Sequence, residues 1–132
     1  MSDTKKPEGL YSRSYSLQFE VVLERIKSKL TEAGFTIFTV IDHAKAASGV
    51  GLEMFPASVV IFGNPSGGTS LMKASPTLAI DLPSRILVID REGVKAYFNK
   101  MEYLKNRHFL QGNDQAVSKL DDKVIGILEN IE

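Results

Sequence analysis

The sequence predicts a single α+β domain with one layer of mainly antiparallel sheet, about five strands, and two long helices packed on it. One amphipathic helical pattern near each end of the chain indicates this class, together with five short apolar segments bounded by turn residues, four of which lie between the two helical patterns. The chain has 132 residues, of which 43% are hydrophobic, which is enough for one independent core. We therefore expect one domain over residues 10–132, preceded by a polar, disordered lead over residues 1–9.

The first third of the chain is predicted to hold two strands around a long helix. Residues 10–16 favour a strand, and Ser16 can then cap a helix whose apolar residues recur at spacings of three and four. Gly34 stands where a left-handed residue ends such a helix. Residues 35–41 are apolar on both alternating faces, which is typical of a covered central strand. The helical stripe consists of Phe19, Val22, Leu23, Ile26 and Leu30.

The remaining elements follow from turn residues and periodicity. A short helix over 44–48 and a strand over 58–62 lead into a glycine-rich loop over 63–68, after which Thr69 or Ser70 can cap another short helix. Residues 85–90 and 94–99 read as a hairpin in which Gly93 supplies the turn geometry. A short helix is expected over 103–109. The final helix, capped by Asn113 or Asp114, carries Val117, Leu120, Val124, Ile127, Leu128 and Ile131.

Charge and composition exclude several classes of function. The 16 basic and 16 acidic residues balance, and each half of the chain is balanced as well, so no basic excess favours nucleic-acid binding. The absence of cysteine excludes disulfides, thiol catalysis and metal ligation by cysteine. No apolar run approaches the length of a membrane span, and no signal peptide is evident. We expect a cytoplasmic protein without a nucleic-acid or membrane partner.

Several motifs in the middle of the chain together resemble the family known as domain of unknown function 302. They are Gly34-Phe35-Thr36, Val40-Ile41-Asp42-His43-Ala44, Val60-Ile61-Phe62-Gly63-Asn64-Pro65, Gly68-Thr69-Ser70-Leu71-Met72 and Ile80-Asp81-Leu82-Pro83. The resemblance implies an α+β fold of the TATA-binding-protein-like type, a bacterial source and a homodimer, and it implies no established activity. Three positions depart from the family pattern, with Ser66 and Phe55 standing where basic residues are frequent and Ile89 where a tryptophan is common.

The glycine-rich loop is the first candidate site. Residues 63–70 fit the spacing of a phosphate-binding loop, except that Thr69 stands in place of the lysine that reaches the outer phosphates. Nucleotide hydrolysis is therefore not expected, although N–H groups at a helix start can still hold an anion. We predict ligand-binding roles for Asp42, Asn64, Gly68 and Thr69. The alternative is a tight strand-to-helix connection that needs only glycine and a hydroxyl cap.

The second candidate site is a general acid–base pair. His43 follows the strand over 35–41, and histidine titrates near neutral pH, which suits proton transfer. Asp81 is the single acid in an apolar stretch, and we predict tentative catalytic roles for His43 and Asp81. The competing interpretation makes Asp42 and Asp81 turn or cap residues. Only His43 and His108 are available as imidazole ligands, so no metal site is predicted, and His108 is expected on the surface or at an interface.

Three functions remain open from the sequence. The first is a dimeric, non-catalytic module that binds a small polar or anionic molecule at the strand–loop–helix around Asn64–Thr69. The second is an enzyme that uses His43 as general acid or base with Asp42 or Asp81. The third is a protein–protein interaction module. Either of the first two requires His43, Asn64 and Asp81 to converge on one open cavity, and the cofactor, if any, is unknown.

Overall fold

Within residues 6–132, five antiparallel strands form one sheet in the order β1-β5-β4-β3-β2. The computed structural model describes residues 6–132, so residues 1–5 of the predicted lead lie outside the described residues. The strands are β1 (Leu10–Tyr15), β2 (Thr36–Asp42), β3 (Ala57–Gly63), β4 (Ser84–Asp90) and β5 (Val94–Asn99). The helices are α1 (Phe19–Glu32), α2 (His43–Ser48), α3 (Pro65–Ala74), α4 (Met101–Arg107) and α5 (Asp114–Glu129), and a 3₁₀ helix covers Pro76–Ile80. The predicted α+β class is confirmed.

The main core lies between one face of the sheet and helices α1 and α5. Because side chains alternate along a strand, β3, β4 and β5 each send every second residue into this layer. The apolar stripes predicted for the two long helices face it from the other side. Fully buried members include Val22, Ile26, Leu30, Val60, Phe62, Ile86, Val88, Phe98, Val124 and Leu128.

A second, smaller core joins the shorter helices at one end of the sheet. It contains Leu71 of α3, Leu78 of the 3₁₀ helix and Met101 and Leu104 of α4, with Val117 of α5. This cluster places α3, α4 and the residues before β4 around a common space. That space is the candidate site described below.

The prediction of a central strand over 35–41 is wrong, because β2 lies at the edge of the sheet. Phe38 is 49% exposed and Ile41 is 41% exposed. A bulge between Ile37 and Thr39 interrupts the pairing with β3, and Phe38 is the extra residue. The apolar residues of β2 therefore lie on two different faces of the sheet. One face is covered by helices, and no described helix of the main core covers the other.

Two predicted helix starts are also wrong. Gln18 precedes α1 without a side-chain cap, and the Ser16 hydroxyl instead contacts the carboxylate of Glu132 at 3.0 Å. The glycine-rich loop is itself helical, since α3 begins at Pro65 and includes Gly67 and Gly68. Proline is well suited to the first helical position because its missing N–H has no partner to lose there.

Candidate functional site

A cavity of about 250 Å³ lies where α3, the bulge of β2 and the segment before β4 meet α4 and α5. Phe38 reaches it from the bulge and also packs beside Gly63, where an added Cβ would lie 3.6 Å from the ring. Its walls are mainly apolar, so the cavity favours an apolar guest. The lining residues are Phe38, Gly63, Asn64, Pro65, Gly68, Thr69, Leu71, Met72, Leu82, Pro83, Ser84, Met101 and Leu120.

Three predicted ligand-binding residues, Asn64, Gly68 and Thr69, line this cavity. The side chains of Asn64 and Thr69 also have local partners. Asn64 Oδ1 accepts from the backbone N–H of Ser66 at 3.2 Å and caps α3, and Thr69 Oγ1 donates to the Pro65 carbonyl at 2.7 Å. The Asn64 amide nitrogen is consequently turned away from the cap. Asn64 and Thr69 thus both stabilise the start of α3 and line the cavity.

The fourth predicted ligand-binding residue, Asp42, lies at the opposite end of the β2–β3 pair. Asp42 pairs with Ser58, whereas Thr36 pairs with Gly63 beside the cavity. Thr36 and Asp42 are six positions apart along the strand, which is roughly 20 Å. Neighbouring antiparallel strands run in opposite directions, so their C-terminal ends lie at opposite ends of the sheet. The C-terminal end of β2 therefore cannot meet the C-terminal end of β3. The expectation that His43 and Asn64 converge is therefore not met, because it applied to this sheet a rule that holds for parallel strands.

Asp42 instead caps helix α2. Its Oδ1 accepts from the backbone N–H of Lys45 at 2.9 Å. His43 is the first residue of α2 and is exposed. Neither residue lines the cavity.

Asp81 is paired, but with His108 rather than with His43. Its Oδ2 lies 2.5 Å from His108 Nε2 and accepts from Arg107 Nη1 at 2.8 Å. The other ring nitrogen of His108, Nδ1, lies 2.9 Å from Thr77 Oγ1. The His108 side chain is only 7% exposed, which corrects the surface half of the expectation that it lies on the surface or at an interface. The short segment after α3 and the end of α4 are thus joined by one hydrogen-bonded chain.

Helix α4 lies between these hydrogen-bonded residues and the cavity, and it is held at both ends. At its start, Asp121 of α5 accepts the backbone N–H groups of Met101 at 2.6 Å and Glu102 at 3.0 Å. Burial raises the pKa of Asp121, and the two backbone hydrogen bonds oppose that rise. At its end, the Ser75 hydroxyl donates to the His108 carbonyl at 2.8 Å. Among the described residues, no group of three or more histidines and carboxylates is placed to bind a metal ion.

Sequence reasoning missed His108, Thr77 and Asp121. The first two lie 31 positions apart, and no local periodicity links residues so distant along the chain. One signal was available for Asp121, since it falls on the apolar stripe of α5, between Val117 and Val124. A charged residue on a buried stripe requires a partner.

A family model described as "Domain of unknown function DUF302" matches residues 11–131. The chain belongs to the DUF302 family. The match runs from β1 to beyond α5 and so includes both the cavity and the Asp81–His108 pair. It confirms the resemblance drawn from the motifs between Gly34 and Pro83.

A solved structure of a DUF302 protein shares the fold. The crystal structure of an uncharacterized conserved DUF302 protein from Bacillus stearothermophilus aligns with a TM-score of 0.81, covering 96% of this chain and 100% of that chain. The two sequences are 17% identical, so this likeness concerns the fold alone.

Curated relatives at higher identity are longer proteins. The fluoride-specific ion channels FluC 1 of Brucella suis and FluC 2 of Brucella melitensis are each 37% identical to this chain over 90 residues, or 67% of it. The matched region is 35% of the first protein and 33% of the second, so this chain spans about a third of the length of the curated relatives it matches. In the described range 6–132, no helix is both long and apolar enough to traverse a bilayer.

Proposed function

We propose that this DUF302 chain is a dimeric binding module whose cavity takes a small ligand with an apolar body and one polar or anionic end. The supporting observation is the cavity of about 250 Å³, which lies beside three residues that the sequence had already singled out. Pockets for drug-sized molecules measure roughly 300–1,000 Å³, so the ligand is smaller than these. Its apolar body would contact Leu71, Met72 and Leu82.

The polar end of the ligand would face the start of α3. Asn64 and Thr69 lie there, and the N-terminal turn of a helix favours negative charge through its N–H groups and dipole. Small carboxylic acids combine such a group with an apolar body. They form the first class of compounds to test.

Two adjacent glycines of α3 provide a matched pair of variants. Gly68 lines the cavity, and a Cβ there would lie 3.9 Å from Met72 Cε, so Gly68→Leu would fill the space without a backbone clash. Gly67 does not line the cavity, and a Cβ there has no neighbour within 4 Å. Both substitutions remove a glycine from the same helix, which alone adds roughly 0.5–1 kcal/mol of stability.

The experiment is a thermal-shift screen of small carboxylic acids, followed by calorimetric titration of each hit. A ligand at 100 times its dissociation constant stabilises the fold by about 2.7 kcal/mol, or about 10 °C for 132 residues. Gly68→Leu should abolish the shift, and Gly67→Leu should retain it. Equal shifts in the two variants, or no hit from a library that also includes neutral amphipathic compounds, would refute a site in this cavity.

The dimer is proposed to form through the sheet face opposite the main core. That face carries half-buried apolar side chains on its three central strands, and these belong to neither core cluster. They alternate with the buried residues of the same strands, and exposed Ile41 extends them onto β2. The residues are Val59, Ile61, Leu87, Ile89 and Tyr97.

Sedimentation velocity tests whether the chain forms this dimer. Two variants distinguish the dimer from the third function, a protein–protein interaction module. A second apolar surface lies between α2 and β3, where Val50 is 74% exposed and Leu52 is 64% exposed. This segment favours interaction with another protein as a second candidate function. Leu87→Glu should dissociate the dimer, whereas Leu52→Ser should leave it intact. The reverse result would place the contact at the α2–β3 segment, and a monomeric wild-type chain would refute the dimer.

The enzyme prediction based on His43 gains no support from these contacts. His43 is exposed and distant from the cavity. Of the two acids that it was expected to use, Asp81 is bound to His108 and Asp42 caps α2. Any acid–base chemistry in this domain is better sought at His108.

A further inference from the structure

We propose that Thr77 is a nucleophile that takes acyl groups from reactive carboxylic esters, with His108 as its general base and Asp81 as the residue that orients the imidazole. Thr77 Oγ1 lies 2.9 Å from His108 Nδ1, and His108 Nε2 lies 2.5 Å from Asp81 Oδ2. A hydroxyl, an imidazole and a carboxylate in unbroken hydrogen-bonded order are the parts of a hydroxyl nucleophile of the serine-hydrolase type. This site is separate from the cavity, whose lining includes none of the three residues.

The partners of the ring determine which way each hydrogen bond runs. An ionised carboxylate only accepts hydrogen bonds, so the Asp81 contact requires that His108 Nε2 carries the proton. In the neutral imidazole, Nδ1 is then an acceptor, and the remaining donor is the Thr77 hydroxyl. Thr77 therefore donates its proton to the nitrogen that would take it during nucleophilic attack. The ring nitrogens have exchanged roles relative to the usual triad, while the order of the three groups is preserved.

Burial and the surrounding contacts keep this arrangement in place. The side chain of His108 is 7% exposed and that of Asp81 is 19% exposed, whereas Thr77 is exposed and open to a reagent. Arg107 donates to the same Asp81 oxygen at 2.8 Å, so this oxygen is held by both Arg107 and His108. The Ser75 hydroxyl holds the backbone carbonyl of His108. The base is fixed and the nucleophile is accessible, as such chemistry requires.

The reaction has two balanced steps. Thr77 Oγ attacks the ester carbonyl carbon while its proton passes to His108 Nδ1; the carbon–oxygen bond to the leaving alcohol breaks, and that alcohol departs with the proton. Water then attacks the acyl–Thr77 carbonyl and gives a proton to Nδ1. The acyl–oxygen bond breaks, the carboxylic acid leaves, and the Thr77 hydroxyl is restored. No oxidant, reductant or cofactor is needed.

The first test is covalent labelling with a fluorophosphonate, located by peptide mass spectrometry. Oγ of Thr77 would bond to phosphorus with release of fluoride, and the proton would leave through His108. Thr77→Ser should still be labelled, and Thr77→Val should not. Thr31→Val is the matched control, because Thr31 is an exposed threonine whose hydroxyl bonds only a backbone carbonyl of its own helix, that of Lys27, at 3.0 Å.

The second test separates an orienting role of Asp81 from a merely structural one. Asp81→Asn keeps the shape but can donate to Nε2, which would move the ring proton to Nδ1 and remove the acceptor for Thr77. Nitrogen-15 spectra of His108 should report that exchange of protonated nitrogens. Release of p-nitrophenol from p-nitrophenyl acetate should fall by roughly 10²-fold or more, the usual contribution of a general base.

The outcomes are decisive in both directions. Labelling of wild-type Thr77 that is lost in Thr77→Val, with the tautomer change in Asp81→Asn, would establish the nucleophile. An unlabelled wild-type chain, label retained in Thr77→Val, or an unchanged rate in Asp81→Asn would overturn it. The labelling is read by mass spectrometry without any cavity ligand, and ligand binding is read by thermal shift, so the two proposals can fail independently.

Discussion

The contact between Asp121 and the start of α4 provides the sharpest test of how the smaller helices are held. In Asp121→Ala, the buried N–H of Met101 would lose its partner, which costs about 1–3 kcal/mol. The part-buried N–H of Glu102 would lose about 0.5–1.5 kcal/mol, since water can replace some of that bond. Removing a carboxylate whose burial is unfavourable offsets part of both costs. We expect a net loss of about 2 kcal/mol.

Thermal unfolding followed by circular dichroism measures this loss. The entropy of unfolding for 132 residues is about 0.28 kcal/mol per kelvin, so about 2 kcal/mol corresponds to a Tm lower by about 7 °C. Asp121→Asn retains one acceptor oxygen and should lose about half as much. A fall of less than 2 °C in Asp121→Ala, or a larger fall in Asp121→Asn than in Asp121→Ala, would refute the capping role.

The pH dependence of the same variant follows from the raised pKa of Asp121. Because the pKa is higher in the folded state, protonation favours folding; its contribution is complete below the ordinary pKa of the group and is lost as pH rises through the folded value. The stability gap between wild type and Asp121→Asn should therefore be widest in acid and narrow toward neutral pH. A gap that widens toward neutral pH would contradict this sign.

The remaining predictions concern the chain ends and two glycines. Hydrogen bonds from the Ser16 backbone and hydroxyl lower the pKa of Glu132, so the contribution of Glu132 to stability is present above its ordinary pKa and lost as pH falls through the folded value. The Tm gap between wild type and Glu132→Gln should therefore close in acid, and a gap that grows there would contradict this. Gly9 and Gly34 both have positive φ, but a Cβ at Gly9 would lie 2.3 Å from the Tyr103 ring, whereas one at Gly34 meets nothing within 4 Å. Gly34→Ala should cost about 1–2 kcal/mol and Gly9→Ala clearly more, as measured by urea unfolding, and equal losses would refute the steric difference.

Local patterns in the sequence were sufficient for most of the secondary structure, although the predicted starts of α1 and α3 were wrong. The stripe that begins at Phe19 predicted α1, and Gly34 ended it with φ of +93° as expected. The hairpin β4–β5 followed from two alternating apolar segments around Gly93. These features depend on interactions between residues a few positions apart, which periodicity and turn chemistry record directly. The motifs that resembled DUF302 were equally local, and the family match confirmed them.

The placement of the site depended on contacts that no local pattern records. Asn64 lies beside the cavity, and the sequence pointed to it because a strand-to-helix connection is visible there; its ligand-binding role stays a prediction. The sequence pointed to His43 rather than His108 because His43 follows an apolar strand. Which residues lie near the end of that strand depends on the order of the strands in the sheet, which no local pattern records. The pairing of Asp81 with His108 spans 27 positions and arises only when α4 packs beside the 3₁₀ helix.

The sequence alone thus determined most helices and strands, the apolar stripes and the family, since each depends on neighbouring residues. The edge position of β2, the cavity between α3 and α4 and the Thr77–His108–Asp81 chain came from the folded arrangement. They bring together residues that are distant in sequence, and the antiparallel order of the strands sets which of those residues meet.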